Sequence, residues 1–127
     1  MTVIESWAID GDSPAPVSRG AVVPALRARM AGGQFETWFS SSAGRMPAFV
    51  SNGWRAMVVL LEREGDPGEH AVDPGAEGES DGFVLANGQD DEYPDRDTVP
   101  LAEALRIVEH IVGSGAWPAD ARWVVDR

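Results

Sequence analysis

Apolar and polar positions along the chain fall into short alternating runs broken by Gly, Pro and Asp, with one sustained helical stripe near the C-terminus. From Thr2 to Ile9, β-formers with Val3, Trp7 and Ile9 as the apolar set predict a first strand, although Glu5 interrupts the alternation. Asp10 to Pro16 is turn and loop material. A short helix is predicted around Pro24 to Met30. Pro24 suits a first helical turn, Leu26 and Met30 stand four apart, and Gly32-Gly33 supplies the stop. Gln34 to Ser41 reads as a strand with both faces at least partly covered, with Phe35, Thr37 and Phe39 on one side and Trp38 on the other. Ser40 to Pro47 reads as a loop. The run from Trp54 to Leu61, unbroken in apolar character from Met57 onward, predicts a central strand.

Glycine, proline and acids dominate Asp66 to Asp81, which predicts a mobile hairpin or a pair of short edge strands, with His70 to Val72 its one strand-like piece. Gly82 to Ala86 then reads as a strand, Asn87-Gly88 as its turn, and Asp91 to Tyr93 as the antiparallel return. The helical stripe starts at Pro100 and runs through Leu101, Ala104, Leu105, Val108, Ile111 and Val112, with Arg106, Glu109 and His110 on the wetter side. Gly113 and Gly115 are available to end it, and Pro118 blocks continuation. Ala121 to Val125 predicts a last short strand. The order β-α-β-β-β-β-α-β implies an α+β fold, a mostly antiparallel sheet packed by two helices. A length of 127 residues suits one such domain.

Composition changes this picture in one respect. The chain is 43% hydrophobic with five tryptophans, too apolar for wholesale disorder despite a net charge of -11. That charge is concentrated: Glu62 to Asp97 holds thirteen acids against two arginines, and the other residues hold eight of each. Such a field repels nucleic acid and anionic membrane. From charge alone it is either a set of solvated acidic loops that only keep the protein soluble, the favoured reading, or a surface that draws in a basic protein. No apolar stretch approaches the roughly 20 residues needed to span a bilayer. The N-terminus carries Glu5 and no basic leader, so it does not resemble a secretory signal, and the cytoplasm is the expected compartment. The absence of cysteine excludes disulfides and thiolate metal sites.

Candidate chemistry is sparse. His70 and His110 are the only histidines, and neither stands in a zinc-binding pattern. Asp90, Asp91 and Glu92 look like a metal cluster, but adjacent side chains diverge on a strand, and the spaced acids of a calcium loop are missing. Ser40-Ser41-Ser42 lacks a nucleophile context, and the glycine-rich Gly75 to Gly82 lacks the lysine of a phosphate loop. With 21 acids, some pair always lies at a catalytic distance, so paired acids carry no signal. The expectation is a binding protein, without metal or cofactor, rather than an enzyme. Trp7, Trp38 and Trp54 lie in strand-like segments and are expected in the core. Trp117, in a Gly-Ala-Trp-Pro turn, either plugs the bottom of the core, the favoured reading, or stands exposed as an anchor. Trp123 is expected close to the last helix. Tyr93, among acids, is either an apolar contact residue or part of a hairpin core.

The C-terminal half resembles the Imm1 family of bacterial immunity proteins. The resemblance lies in Phe83-Val84-Leu85-Ala86-Asn87-Gly88, in Glu92-Tyr93-Pro94, in Thr98 to Leu105, in Gly115-Ala116-Trp117-Pro118 and in Arg122-Trp123. Pro94, Pro100, Ala104, Gly115, Pro118 and Trp123 stand at the places of the family's motifs, over roughly residues 83–125. The long Asp66 to Asp81 stretch and Trp117 depart from the pattern, and the N-terminal half fits only in element order.

The resemblance implies a small α/β domain, encoded beside a polymorphic toxin, that neutralises the toxin by direct binding. Partner toxins in such systems are often nucleases or nucleic-acid deaminases, whose positive grooves suit an acidic partner. The toxin-binding candidates are therefore Glu77, Glu79, Asp81, Asp90, Asp91, Glu92, Tyr93, Asp95 and Trp117, with the protein expected as a monomer in the complex. The competing readings are an acidic adaptor outside toxin defence and, third, a small hydrolase.

Overall fold

The computed structural model describes residues 5–11 and 15–127, so Thr2 to Ile4 of the first predicted strand and the middle of the following loop lie outside the described residues. The elements run β1 (Trp7–Ile9), α1 (Arg19–Ala31), β2 (Glu36–Ser41), β3 (Met46–Ser51), β4 (Arg55–Leu61), β5 (Glu69–Ala71), β6 (Glu79–Val84), β7 (Asp90–Pro94), a 3-10 turn (Asp95–Asp97), β8 (Val99–Pro100), α2 (Leu101–Ser114) and β9 (Trp123–Val125). The fold is α+β, and every strand pairing among the described residues is antiparallel. Seven strands form one sheet in the order β1-β2-β3-β4-β5-β9, with β8 sharing the β5 side of β4, while β6 and β7 form a separate hairpin.

The period of two along β4 decides the layering. Ala56, Val58 and Leu60 are buried against the helices, and Arg55, Met57, Val59 and Leu61 turn to the other face. Cross-strand register extends the helix-side face through Phe49, which sits opposite Val58, and Thr37, which sits opposite Phe49. Val22 and Leu26 of α1 and Ala104, Leu105, Ile107, Val108, Ile111 and Val112 of α2 close that core. Each of these larger side chains contributes about 1.5–3 kcal/mol by leaving water. The helix α2 ends where Gly115 adopts φ +77 and donates to the Ile111 carbonyl at 2.7 Å, a left-handed cap that costs a glycine nothing. The hairpin β6–β7 lies toward the opposite face, with Phe83 fully buried and Tyr93 bordering a groove with Met57 and Val59.

Four expectations are corrected. The first helix begins at Arg19, so Pro24 lies in its interior rather than its first turn. The predicted loop from Ser40 to Pro47 contains the start of a strand that sequence reading passed over, β3. Pro47 lies within β3, and the β2 ladder stops at the Trp38–Ala48 pair, just short of the residue that has no N–H to give. Trp54 is not a core residue: it stands in the β3–β4 turn and is 80% exposed. Trp7 is buried, and Trp38 is half-buried with its indole N–H on Glu36 at 3.0 Å. The acidic stretch forms an interior strand, β5, between β4 and β9, instead of only edge structure.

Candidate protein-binding surface

The acids of the middle region divide into two populations once their partners are known. Glu62, Asp66 and Glu69 gather around Arg127, Asp73 and Asp95 around Arg55, and Asp97 around His70. These six acids of the thirteen are spent inside the fold. Glu64, Glu77, Glu79, Asp81, Asp90, Asp91 and Glu92 make no ion pair among the described residues, and five of those seven lie on β6 and β7. The uncompensated charge is therefore concentrated on the hairpin.

Strand alternation then sorts the hairpin acids. On β6, Glu79 and Asp81 are exposed while Ser80 and Phe83 turn inward. On β7, Asp90 and Glu92 are exposed while Asp91 and Tyr93 are half-buried. Asp91 accepts from the Tyr93 hydroxyl at 2.7 Å and from Gln89 at 2.5 Å, so the Asp90-Asp91-Glu92 run diverges as strand geometry requires. The Glu79 carboxyl hydrogen-bonds Glu92 and raises its pKa, with the charge of Glu79 adding to the effect.

Glu79, Asp81 and Glu92 line a cavity of about 530 Å³ together with Asn52, Ser80, Arg55 and Trp54. The backbone under Trp54 is fixed on every side. Asn52 Oδ1 accepts the Trp54 and Arg55 amides at 2.9 and 2.8 Å, Ser51 Oγ accepts the Gly53 amide at 2.8 Å, and the Trp54 carbonyl accepts the Leu101 amide at 2.9 Å. Asn52 Nδ2 donates to the Asp81 carbonyl at 2.9 Å, which ties this turn to the hairpin. A rigid turn thus holds an exposed indole beside carboxylates that make no ion pair among the described residues. Sequence reasoning missed Trp54 as a contact residue. The signal that could have found it is Asn52-Gly53, a turn dipeptide directly before it.

The remaining candidates have other surroundings. Asp95 is half-buried; it accepts from Ser80 Oγ at 2.5 Å and lies 3.9 Å from Arg55 Nε, so it anchors the hairpin base. Glu77 is exposed in the turn before β6. Trp117 is only 8% exposed, donates its indole N–H to Glu69 at 3.0 Å and stacks on Trp123 with centroids 5.5 Å apart, so it is a packing residue rather than an exposed anchor. The motif residues are structural: Ala104 is buried in α2, Gly115 caps it, Pro118 is buried, and Pro94 and Pro100 precede the 3-10 turn and α2. Among the described residues no group of three or more His, Asp or Glu is placed to hold a metal ion, and no helix is long and apolar enough to cross a membrane. Compared with known proteins, the chain matches no family model and no curated protein sequence.

Proposed function

We propose that the chain is an immunity-type protein that neutralises a cognate toxin, a nuclease or nucleic-acid deaminase, by docking its β6–β7 hairpin and Trp54 on a basic surface of that toxin. The observation that carries this reading is the fixed, 80% exposed Trp54 beside Glu79, Asp81 and Glu92, three acids that make no ion pair among the described residues. An indole on an immobile turn loses little conformational freedom on binding, and tryptophan is a favoured anchor at the centre of interfaces. Uncompensated carboxylates around it speed encounter with a positive groove and reject anionic competitors. The resemblance of residues 83–125 to immunity proteins supplies the biological setting, and its motif positions build the scaffold that presents this surface.

The test is co-expression with the toxin domain encoded by the neighbouring open reading frame, scoring growth rescue and co-purification. Trp54→Ala and Glu79→Lys/Glu92→Lys are expected to weaken binding by at least about tenfold, while Trp54→Ala leaves stability within about 0.5 kcal/mol of the parent. Full rescue by both variants would remove this surface from the interface. Failure of the parent to bind or rescue would remove the toxin reading itself.

A further inference from the structure

The two ends of the seven-stranded sheet are finished differently. On the outer side of β1 the Trp7 carbonyl accepts the Val17 amide at 2.7 Å, so the segment leading into α1 covers that edge. At the other end β9 pairs with β5 and, among the described residues, with no further strand. Hydrogen bonding fixes which groups of β9 are free. Val72 donates to the Arg122 carbonyl at 3.0 Å and Asp126 donates to the Gly68 carbonyl at 2.8 Å, so residues 122, 124 and 126 turn their backbone groups toward β5. Trp123 and Val125 therefore turn theirs outward. The three strand side chains are apolar and 39%, 45% and 52% exposed. Apart from being short, the strand has none of the usual guards of a free edge, such as lysine, proline or a bulge.

We propose that β9 is a self-association edge, on which a second copy of this chain pairs antiparallel in the register centred on Val124. Only the residues that offer outward backbone groups then face each other as bonded pairs: Trp123 of one copy opposite Val125 of the other, each pair exchanging both N–H···O bonds. That places an aromatic ring opposite a β-branched side chain, a favourable cross-strand pair. The same register sets Arg122 of one copy opposite Asp126 of the other, on one face with the two Val124 side chains. Arg122 makes no ion pair within the chain among the described residues, and Asp126 meets His70 through Oδ2, leaving Oδ1 available. Sliding the register by two residues in either direction puts Arg122 or Asp126 opposite Val124 and loses this complementarity. Charge thus selects one register for a second copy of the same sequence.

Sedimentation velocity from about 1 µM to 1 mM tests the proposal, with mass expected to rise from 13.6 kDa toward twice that value. Val125→Pro removes one outward N–H that bonds nothing among the described residues, a position where an edge strand tolerates proline. Circular dichroism is expected to stay unchanged while association weakens at least about tenfold. Arg122→Asp and Asp126→Arg are each expected to abolish self-association, and an equimolar mixture of the two to restore it as a heterodimer, a result that decides the matter even if the proline variant fails to fold. A mass of 13.6 kDa throughout, or a dimer indifferent to the charge reversals, overturns the proposal. No residue of the Trp54 surface is used, so Glu79→Lys is expected to leave this association intact.

Discussion

The Nδ1 of His70 lies 2.7 Å from Oδ2 of Asp126, while its Nε2 lies 3.1 Å from Oδ1 of Asp97. A neutral imidazole has one donor and one acceptor, so it satisfies only one of two facing carboxylates. Both bonds exist together only when the ring is protonated. His70 is thereby a clamp that joins β5 to the 3-10 turn and to the residue after β9.

Burial of His70 works against its charge, but the Asp126 and Asp97 hydrogen bonds outweigh it, and its pKa is raised above the ordinary 6.5. The ring is also bordered by Met57, Val59 and Tyr93, which add no compensating charge. A raised folded-state value means that the clamp stabilises fully below 6.5 and fades as pH rises through the higher, folded value. The urea midpoint of His70→Gln is therefore expected to fall furthest below the parent near about pH 6, and the gap to narrow by about pH 8.5. A gap that widens with pH would mean that the ring is neutral in the fold.

Asp66 behaves in the opposite sense. Its side chain is 2% exposed; Arg127 donates to both its oxygens and the Glu62 amide adds a third donor, holding its pKa down at about 2 against an ordinary 3.8. Stability from this carboxylate is present above 3.8 and is lost as pH falls toward 2. Asp66→Asn is expected to lower stability at neutral pH and to flatten the acid limb between about pH 4 and pH 2 in denaturant titrations. An acid limb as steep as the parent's would place the titrating group elsewhere.

Arg55 is the internal cation of the hairpin base. Its guanidinium donates to Thr98 Oγ1 at 2.8 Å, Asp73 Oδ2 at 2.6 Å, and the Asp95 and Thr98 carbonyls at 3.0 Å each. Removing it takes the donor from the fully buried Thr98 and from the Asp73 carboxylate, and the nearby cation from Asp95. Arg55→Ala is expected to cost about 2–4 kcal/mol in chemical denaturation, and Arg55→Lys most of that, because an ammonium cannot reproduce the planar fork. A loss under about 0.5 kcal/mol for lysine would show that charge alone matters here.

These three networks explain how much of the molecule was legible in its sequence. The apolar stripe of α2 and the alternation in β4 are local periodicities, so both elements and their buried faces could be read directly. The strand β3 could not, because Pro47 and the turn residues before it carry loop chemistry at the entrance to an interior strand. Trp54 misled because an aromatic next to a β-run looks like part of it, whereas the chain is still turning there. The clustering of acids in the middle of the chain was visible, but not which of them stay unpaired. Arg127 meets Asp66, 61 residues away, and Arg55 meets Asp95, 40 residues away, so the sorting into spent and free carboxylates exists only after folding.

Tyr93, the only tyrosine of the chain, reports on whether the hairpin keeps an interior of its own. Its ring meets Phe83 edge-on with centroids 4.9 Å apart, and its hydroxyl donates to Asp91 at 2.7 Å. Burial first, and then the bond to Asp91, push its pKa up to about 12. The tyrosinate absorbance of the native protein is expected to titrate near 12 and to return toward the ordinary 10 in denaturant. Because burial is the larger cause, Asp91→Asn is expected to remove only part of the shift. The sign for stability follows: the neutral phenol favours the fold below 10, and that contribution is lost as pH rises toward 12, so Tyr93→Phe is expected to lessen the alkaline loss. At neutral pH the same substitution is expected to cost about 0.5–1.5 kcal/mol through the missing hydrogen bond. A native midpoint near 10 would mean a solvated ring, free to serve as a partner contact instead of holding β6 to β7.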